Sequence, residues 1–420
     1  MSGSADGPLT GVTVVSLEQA ISAPMCTRTL ADFGARVIKI ENPRGGDFAR
    51  HYDDVVHGLA AHFVWANRGK ESVALDLKTS EGRQIMHRIL ERADVFVANL
   101  APGATAALGL APQDLEKRHP DLLVMEIDGY GPGGPLSHKR AYDLLIQAES
   151  GICAVTGTRD APAKPGPPVA DVGSGLYAAL TILAMMHGRN RKPAGSAPVR
   201  GSVSLFDTAV EMMGYALTYT RHTGVDQEPL GMSSPAVAPY GAYPTADGAT
   251  VVLGTTNDRE WQRLARDLLG RPDLADDPRF ATNPGRVGHR GTLDAAVAEW
   301  CAQHELTEIQ TRADAAGIGN SRYNTPSEVI DHPHLAARER WRFIDTPAGP
   351  VPSLLPPSAI AGYDPPMGAV PGLGAHTDLV LAEAGFSAED LIRFRDAGVI
   401  ASPGNDAVPT TATQVAPSKG

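Results

Sequence analysis

Short apolar runs alternate with helical segments through the first third of this chain, and that alternation constrains its fold more than any other feature. Val12–Leu17 reads as a buried strand, Cys26–Phe33 as a helix ending at Gly34, and Val37–Ile40 as a second strand. That is a βαβ unit within about 30 residues, the spacing a parallel pair requires. A helix beginning at Thr79 or Ser80 carries Ile85, Met86, Ile89 and Leu90 at helical spacing. A strand over Val95–Ala98, a helical turn over Gln113–Arg118 and a strand over Leu122–Ile127 continue the pattern. The prediction is an α/β fold with a doubly wound large domain over residues 1–205. It takes in helices at Asp143–Glu149 and Leu176–Met186 and a last strand at Val199–Leu205.

The pattern changes after about Thr223. Residues 206–235 read as a linker and 236–330 as a smaller α+β domain. Asp247-Gly248 predicts a hairpin turn between Ala242–Tyr243 and Thr250–Leu253. Helices are expected at Arg259–Leu268, Leu293–Cys301, Glu308–Ala316 and, last, Ala384–Ala397. The tail, 402–420, has little apolar content and is expected to be disordered.

Composition excludes several classes. The net charge of −11 argues against nucleic acid as a partner. The longest apolar stretch, Leu176–Met186, is too short to span a bilayer, so no membrane partner is expected. Three widely spaced cysteines, Cys26, Cys153 and Cys301, fit a reducing cytoplasm and show no zinc spacing. His332-Pro333-His334 reads as a helix cap, and no metal site is predicted. The turn after the first strand, Glu18-Gln19-Ala20-Ile21-Ser22-Ala23-Pro24, lacks the glycines of a dinucleotide fingerprint. There is no P-loop and no G-x-S-x-G elbow.

Asp171 is the candidate centre of chemistry. It follows the apolar Val169-Ala170 and precedes the small residues Gly173-Ser174-Gly175. At a strand-to-helix turn, such a carboxylate is open to close approach and could act as a nucleophile. Equally, Asp is a favoured N-cap and could simply close the helix that follows.

Several stretches together resemble family III CoA-transferases, the group that includes formyl-CoA transferase, CaiB-type enzymes and α-methylacyl-CoA racemases. They are Asn67–Lys78, Ala98–Gly103, Gly129–Pro135, Ala141-Tyr142-Asp143, Ala170-Asp171, Ala238–Gly241 and Gly374–Thr377. The resemblance runs from about Leu9 to Ile400. It implies a Rossmann-like large domain, a small domain, and a segment over 331–401 that returns to the large domain. It also implies an interlocked homodimer. The implied nucleophile is Asp171, which attacks an acyl-CoA thioester to give an anhydride and then an aspartyl-CoA thioester. Backbone amides beside Asp171 or in the small-domain loop would hold the oxyanions. The substrates would be an acyl-CoA and a small carboxylic acid, with no covalently bound cofactor.

The resemblance also assigns roles to particular residues. Asp143 falls at an acid position near the active site, although capping explains it equally well. Tyr142 stands where the racemases carry a proton-shuttling His. A tyrosine, with a reference pKa of about 10, favours transfer over racemisation. Lys70, Lys78, Asn99, Leu100 and Arg140 fall at or near CoA-contacting positions. Asn42 and Ala107 replace arginines of formyl-CoA transferase, so the adenosine grip must differ or use Arg44 and Arg50 instead. His62 and Ile21 replace a Tyr and a Gln of that enzyme's pocket, so oxalate and formate are not the expected acids. The run Leu17–Arg28 is most like the branch acting on mesaconate, citramalate or succinate. Arg28 or Arg50 would then meet the distal carboxylate. A racemase-like isomerase and a catalytically silent CoA-binding protein are the alternatives.

Overall fold

The computed structural model describes residues 7–191 and 199–402, with the side chain of Asn190 excepted. The expected tail, apart from Ser402, lies outside the described residues. The chain divides into two compact units. The first comprises residues up to Ile146, Pro168–Ala209 and the segment from Arg340 onward; the second comprises Gln147–Pro167 and Val210–Glu339. Residues 147–167 therefore group with the second unit, although the sequence reading placed them within 1–205.

The first unit is built on a seven-stranded sheet. Its strands are β1 (Thr13–Leu17), β2 (Arg36–Glu41), β3 (Lys70–Leu75), β4 (Val95–Ala98), β5 (Leu123–Asp128), β6 (Arg200–Ser204) and β7 (Ile400–Ala401). They lie in the order β7-β3-β2-β1-β4-β5-β6, and all are parallel except the edge strand β7. The order reverses between β1 and β4, which leaves a crevice at the carboxyl ends of those strands. Alternate residues, including Val15, Ile38, Val73, Phe96 and Val124, form one buried cluster with Ile85, Met86 and Ile89 of the helix Ser80–Leu90. The Thr79 hydroxyl caps that helix by accepting the Gly82 amide. Near the chain's end, Gly374–Thr377 pins β3: Ser72 Oγ accepts the Gly374 amide, and Thr377 Oγ1 accepts the Ala74 amide.

Two helices matter for the site. The helix α1 (Ser22–Asp32) begins earlier than the expected Cys26, because the turn after β1 is tight. The longer helix Val169–Arg191, hereafter the Asp171 helix, overturns two expectations. Asp171 lies inside its first turn, not at a strand-to-helix junction. Its Val169–Arg189 portion is also long and apolar enough to cross a membrane, longer than the apolar run read from the sequence. In the fold it packs on α1, β5 and β6. The small residues after Asp171 serve that packing. A Cβ on Gly175 would lie 2.4 Å from the Ser22 carbonyl oxygen and 3.0 Å from Met25 Cβ, so the close approach is α1's, not a ligand's. Gly175→Ala is expected to destabilise the protein by about 1–3 kcal/mol, read from its urea midpoint.

The second unit holds a three-stranded antiparallel sheet of Gly319–Arg322, Thr250–Gly254 and Tyr240–Pro244. The last two form the expected hairpin, with Gly248 at φ +78° in its turn. Trp261, Phe280, Leu264 and Val297 centre its core. His332 caps Pro333–Ala337 by accepting the His334 amide, as the sequence suggested. The single expected helix over Ala384–Ala397 is instead preceded by a separate Thr377–Glu383 helix, with Gly385 in the left-handed region between them.

Candidate active site

A cavity of about 380 Å³ opens at the crevice. The turn after β1 lines it with Gln19, Ala20 and Ser22; the segment after β4 adds Asn99 and Leu100; Lys139–Tyr142 and Asp171 are also on its wall. Gly129 brings Lys139–Tyr142 close, since a Cβ there would sit 2.4 Å from that of Ala141. Burial first, and then the charge of Asp143, pushes the Asp171 carboxyl up to about 7. Asp143 is also the helix cap. Its Oδ1 accepts the Ala170 amide at 3.0 Å and the Asp171 amide at 3.4 Å. Asp171 is thereby relieved of capping, and its own amide and that of Ala170, among those beside it offered as one of two places to hold an oxyanion, are already occupied.

The turn after β1 is held from behind. Ala20 has φ +60°, a conformation unfavourable for a residue with a Cβ. Its amide donates to Asp47 Oδ1 at 3.1 Å, while the Asn99 side chain takes both the amide and the carbonyl of Gln19 at 2.8 Å. Asp47 Oδ2 accepts Lys39 Nζ at 2.7 Å. Glu18 Oε1 lies 2.6 Å from Lys70 Nζ and 3.5 Å from Lys39 Nζ, and all three side chains are fully buried. Burial opposes ionisation of Glu18, yet Lys70 and Lys39 hold its carboxyl below the usual range.

The comparisons with known proteins agree with one another. Residues 9–377 match the model of CoA-transferase family III. The chain belongs to CoA-transferase family III. It is 33% identical over 336 residues to the succinyl-CoA–D-citramalate CoA-transferase of Chloroflexus aurantiacus, covering 79% of this chain and 82% of that one. It is 33% identical to the succinate–glutarate CoA-transferase of Agrobacterium fabrum, covering 90% and 95% of the two chains. The solved CAIB/BAIF family protein from Brucella suis superposes with a TM-score of 0.77 at 32% identity, covering 90% of this chain and all (100%) of that one. Family III enzymes act on CoA thioesters and carboxylic acids, and this chain is such an enzyme.

Several residues expected at the transferase site are engaged elsewhere. Lys70 is buried, with its ammonium bound to Glu18, the Pro24 carbonyl and Asn67, so it cannot meet a phosphate. Arg28 is buried, 3.5 Å from Asp32 and bonded to the Trp65 carbonyl. Arg50 forms a two-pronged pair with Glu41, contacts the Pro371 carbonyl and stacks 3.8 Å over the Phe63 ring. Neither arginine is available to a distal carboxylate. Asn99 lines the cavity, but its amide is committed to the turn. His62 is exposed and does not line the cavity.

Tyr142, Arg140, Leu100 and Asp171 do converge there. Lys78 instead lines a smaller cleft of about 130 Å³ that shares Gln19 and Leu100 with the cavity. Arg44 pairs with Asp76, another residue of that cleft, at 2.9 Å. Phe48, Lys139 and the strained Ala20 also line the cavity, and the sequence reading passed over them. Their one sequence signal was position: they follow β1 and β2 or precede Asp143.

A carboxylate nucleophile attacks only when ionised. On the reading of Asp171 as that nucleophile, with its carboxyl raised to about 7, kcat/KM is expected to rise about tenfold per pH unit below that value and level off above it. Asp143→Asn keeps an oxygen for the Ala170 and Asp171 amides and removes the like charge. Its profile is expected to move to lower pH, and a pH–rate series on both proteins checks this.

Proposed function

We propose that the enzyme carries CoA from an acyl-CoA to a carboxylic acid through Asp171. The observation that carries this reading is a carboxylate on the cavity wall, raised to about 7 and released from capping by Asp143. A raised carboxyl is a stronger base and still partly ionised at neutral pH. Asp171 forms a C–O bond to the thioester carbon, the C–S bond breaks, and CoA thiolate leaves. The thiolate then attacks the Asp171 acyl carbon of the anhydride and releases the donor acid as its carboxylate. The acceptor carboxylate attacks the aspartyl-CoA thioester, giving a second anhydride and free thiolate. Attack of that thiolate on the acceptor's acyl carbon yields the new thioester and restores Asp171.

The relatives named for succinate, glutarate and citramalate support a small dicarboxylate as one of the exchanged acids. With Arg28 and Arg50 committed, Lys139 and Arg140 are the cations on the cavity wall for that acid or for CoA phosphates. Lys78, with Arg44 beside its cleft, suits the nucleotide end. The strand order supports a Rossmann-like description of the first unit. Exposed Leu176, Tyr177 and Leu180 on the Asp171 helix support a homodimer. Free, buried Cys26 and Cys301 fit a cytoplasmic setting.

The test is a trap. The protein is incubated with succinyl-CoA, quenched with hydroxylamine and digested, and a hydroxamate is sought on the Asp171 peptide. Modification at Asp171 supports the route; an unmodified peptide from protein that binds CoA overturns it.

A further inference from the structure

We infer that Gln19 is a catalytic residue: on the transfer reading above, its side-chain amide donates to the thioester oxygen that turns anionic when Asp171 attacks. Gln19 and Leu100 are the two residues found on the walls of both the Asp171 cavity and the Lys78 cleft. An acyl-CoA with its nucleotide end in the cleft and its acyl carbon at Asp171 has to cross from one to the other. The thioester lies where that crossing ends. Of the two side chains shared there, Gln19 alone carries a hydrogen-bond donor.

A developing oxyanion needs such a donor. The Ala170 and Asp171 amides are taken by Asp143. The Asn99 side chain spends its two N–H bonds on the Gln19 carbonyl and Ser22 Oγ, and Ser22 is buried. Lys139, Arg140 and Tyr142 follow β5, on the far side of β4 from a cleft built over β1, β2 and β3.

Gln19 is uncommitted at its tip and fixed at its base. Among the described residues its side-chain amide makes no hydrogen bond, and both polar atoms are open to solvent. Its main chain is held by Asn99 at amide and carbonyl, each at 2.8 Å, and the left-handed Ala20 that follows is held by Asp47. Strain of this kind beside a reactive group is a mark of placement that matters to function. A donor already in place needs no reorganisation as charge develops. Its neutrality also suits Asp171, because a cation in the same position would lower that carboxyl and weaken the nucleophile.

The step is balanced without a proton from Gln19. An Asp171 oxygen bonds to the thioester carbon, and the carbonyl π pair moves onto the oxygen, which accepts the Gln19 N–H. When that pair returns, the C–S bond breaks and CoA leaves as thiolate.

The test uses the full-length protein with succinyl-CoA as donor and glutarate as acceptor. Gln19→Met keeps the length of the side chain and removes the donor. Its kcat is expected to fall about 100-fold, with KM for succinyl-CoA within about threefold of the parent. Gln19→Glu keeps the shape but sets a negative charge where one develops, so it is expected to lose at least as much. Free CoA, which has no thioester carbonyl, is expected to bind the parent and Gln19→Met alike in calorimetric titrations. A kcat in Gln19→Met within about fivefold of the parent overturns the inference, and so does a loss carried by KM alone. Should Gln19→Met melt below the assay temperature, Gln19→Glu decides by the same criteria. In the hydroxylamine trap, Gln19→Met is expected to label Asp171 about 100-fold more slowly. A parent that does not label overturns the transfer reading first and removes this inference with it. Equal labelling rates in parent and variant overturn this inference alone.

Discussion

Asp171→Ala is expected to lower transfer by about 10⁴-fold or more, with CoA binding little changed. The size follows from the proposed route: without the carboxylate that route has no acceptor for the acyl group, and every later step loses its intermediate. Asp128 is the other carboxylate on the described cavity wall, but it accepts the Gly131 amide and holds the loop after β5. Asp128→Ala should therefore leave the hydroxamate on Asp171, whereas Asp171→Ala should abolish it. Asp171→Glu is expected to recover little. Its carboxylate would stand about 1.5 Å further out, and misplacement by about 1 Å can cost about 100-fold. Steady-state kinetics with calorimetric CoA titration of both variants checks the prediction. Activity in Asp171→Ala within about tenfold of the parent would sink it.

The sheet was legible because its strands are buried on both faces and so read as Val- and Ile-rich runs. β3 escaped notice because Lys70, Glu71 and Ser72 open it, and the charge of Lys70 is neutralised only by Glu18, 52 positions away. The start of the Asp171 helix was hidden by Pro167-Pro168 and by a cap that comes from Asp143, a remote residue. The same remoteness explains the site. Asp171 could be singled out by its small neighbours, although those neighbours turn out to serve α1. Lys70 and Arg50 look like ligand-binding cations in a one-dimensional reading because their carboxylate partners, Glu18 and Glu41, sit on other elements, whereas Arg28 has Asp32 one turn along its own helix. The cavity wall at Phe48 and Ala20 had no signal beyond its position after β1 and β2, since a left-handed alanine is fixed by Asp47 and not by its own side chain.

Lys70→Met is expected to destabilise the protein by about 3–5 kcal/mol, because it leaves Glu18 buried with only the more distant Lys39 as counter-charge. Glu18→Gln in the same background is expected to recover much of that loss, since a neutral amide needs no counter-ion. Urea midpoints of the single and double variants check both statements, and simple additivity would refute the coupling. The pH dependence has a definite sign. Glu18 is held below its ordinary value of 4.5, so its contribution is complete above that pH and is lost as pH falls through the lowered value. Lys70→Met should therefore cost most at neutral pH and less in acid, where Glu18 becomes neutral. A buried ion pair is a poor source of net stability. What this one does is hold Glu18 and Lys39 in place, and Lys39 in turn holds Asp47 against the Ala20 amide. The double variant can then regain stability without regaining rate, because neutral side chains refill the interior but no longer fix the turn beside Asp171.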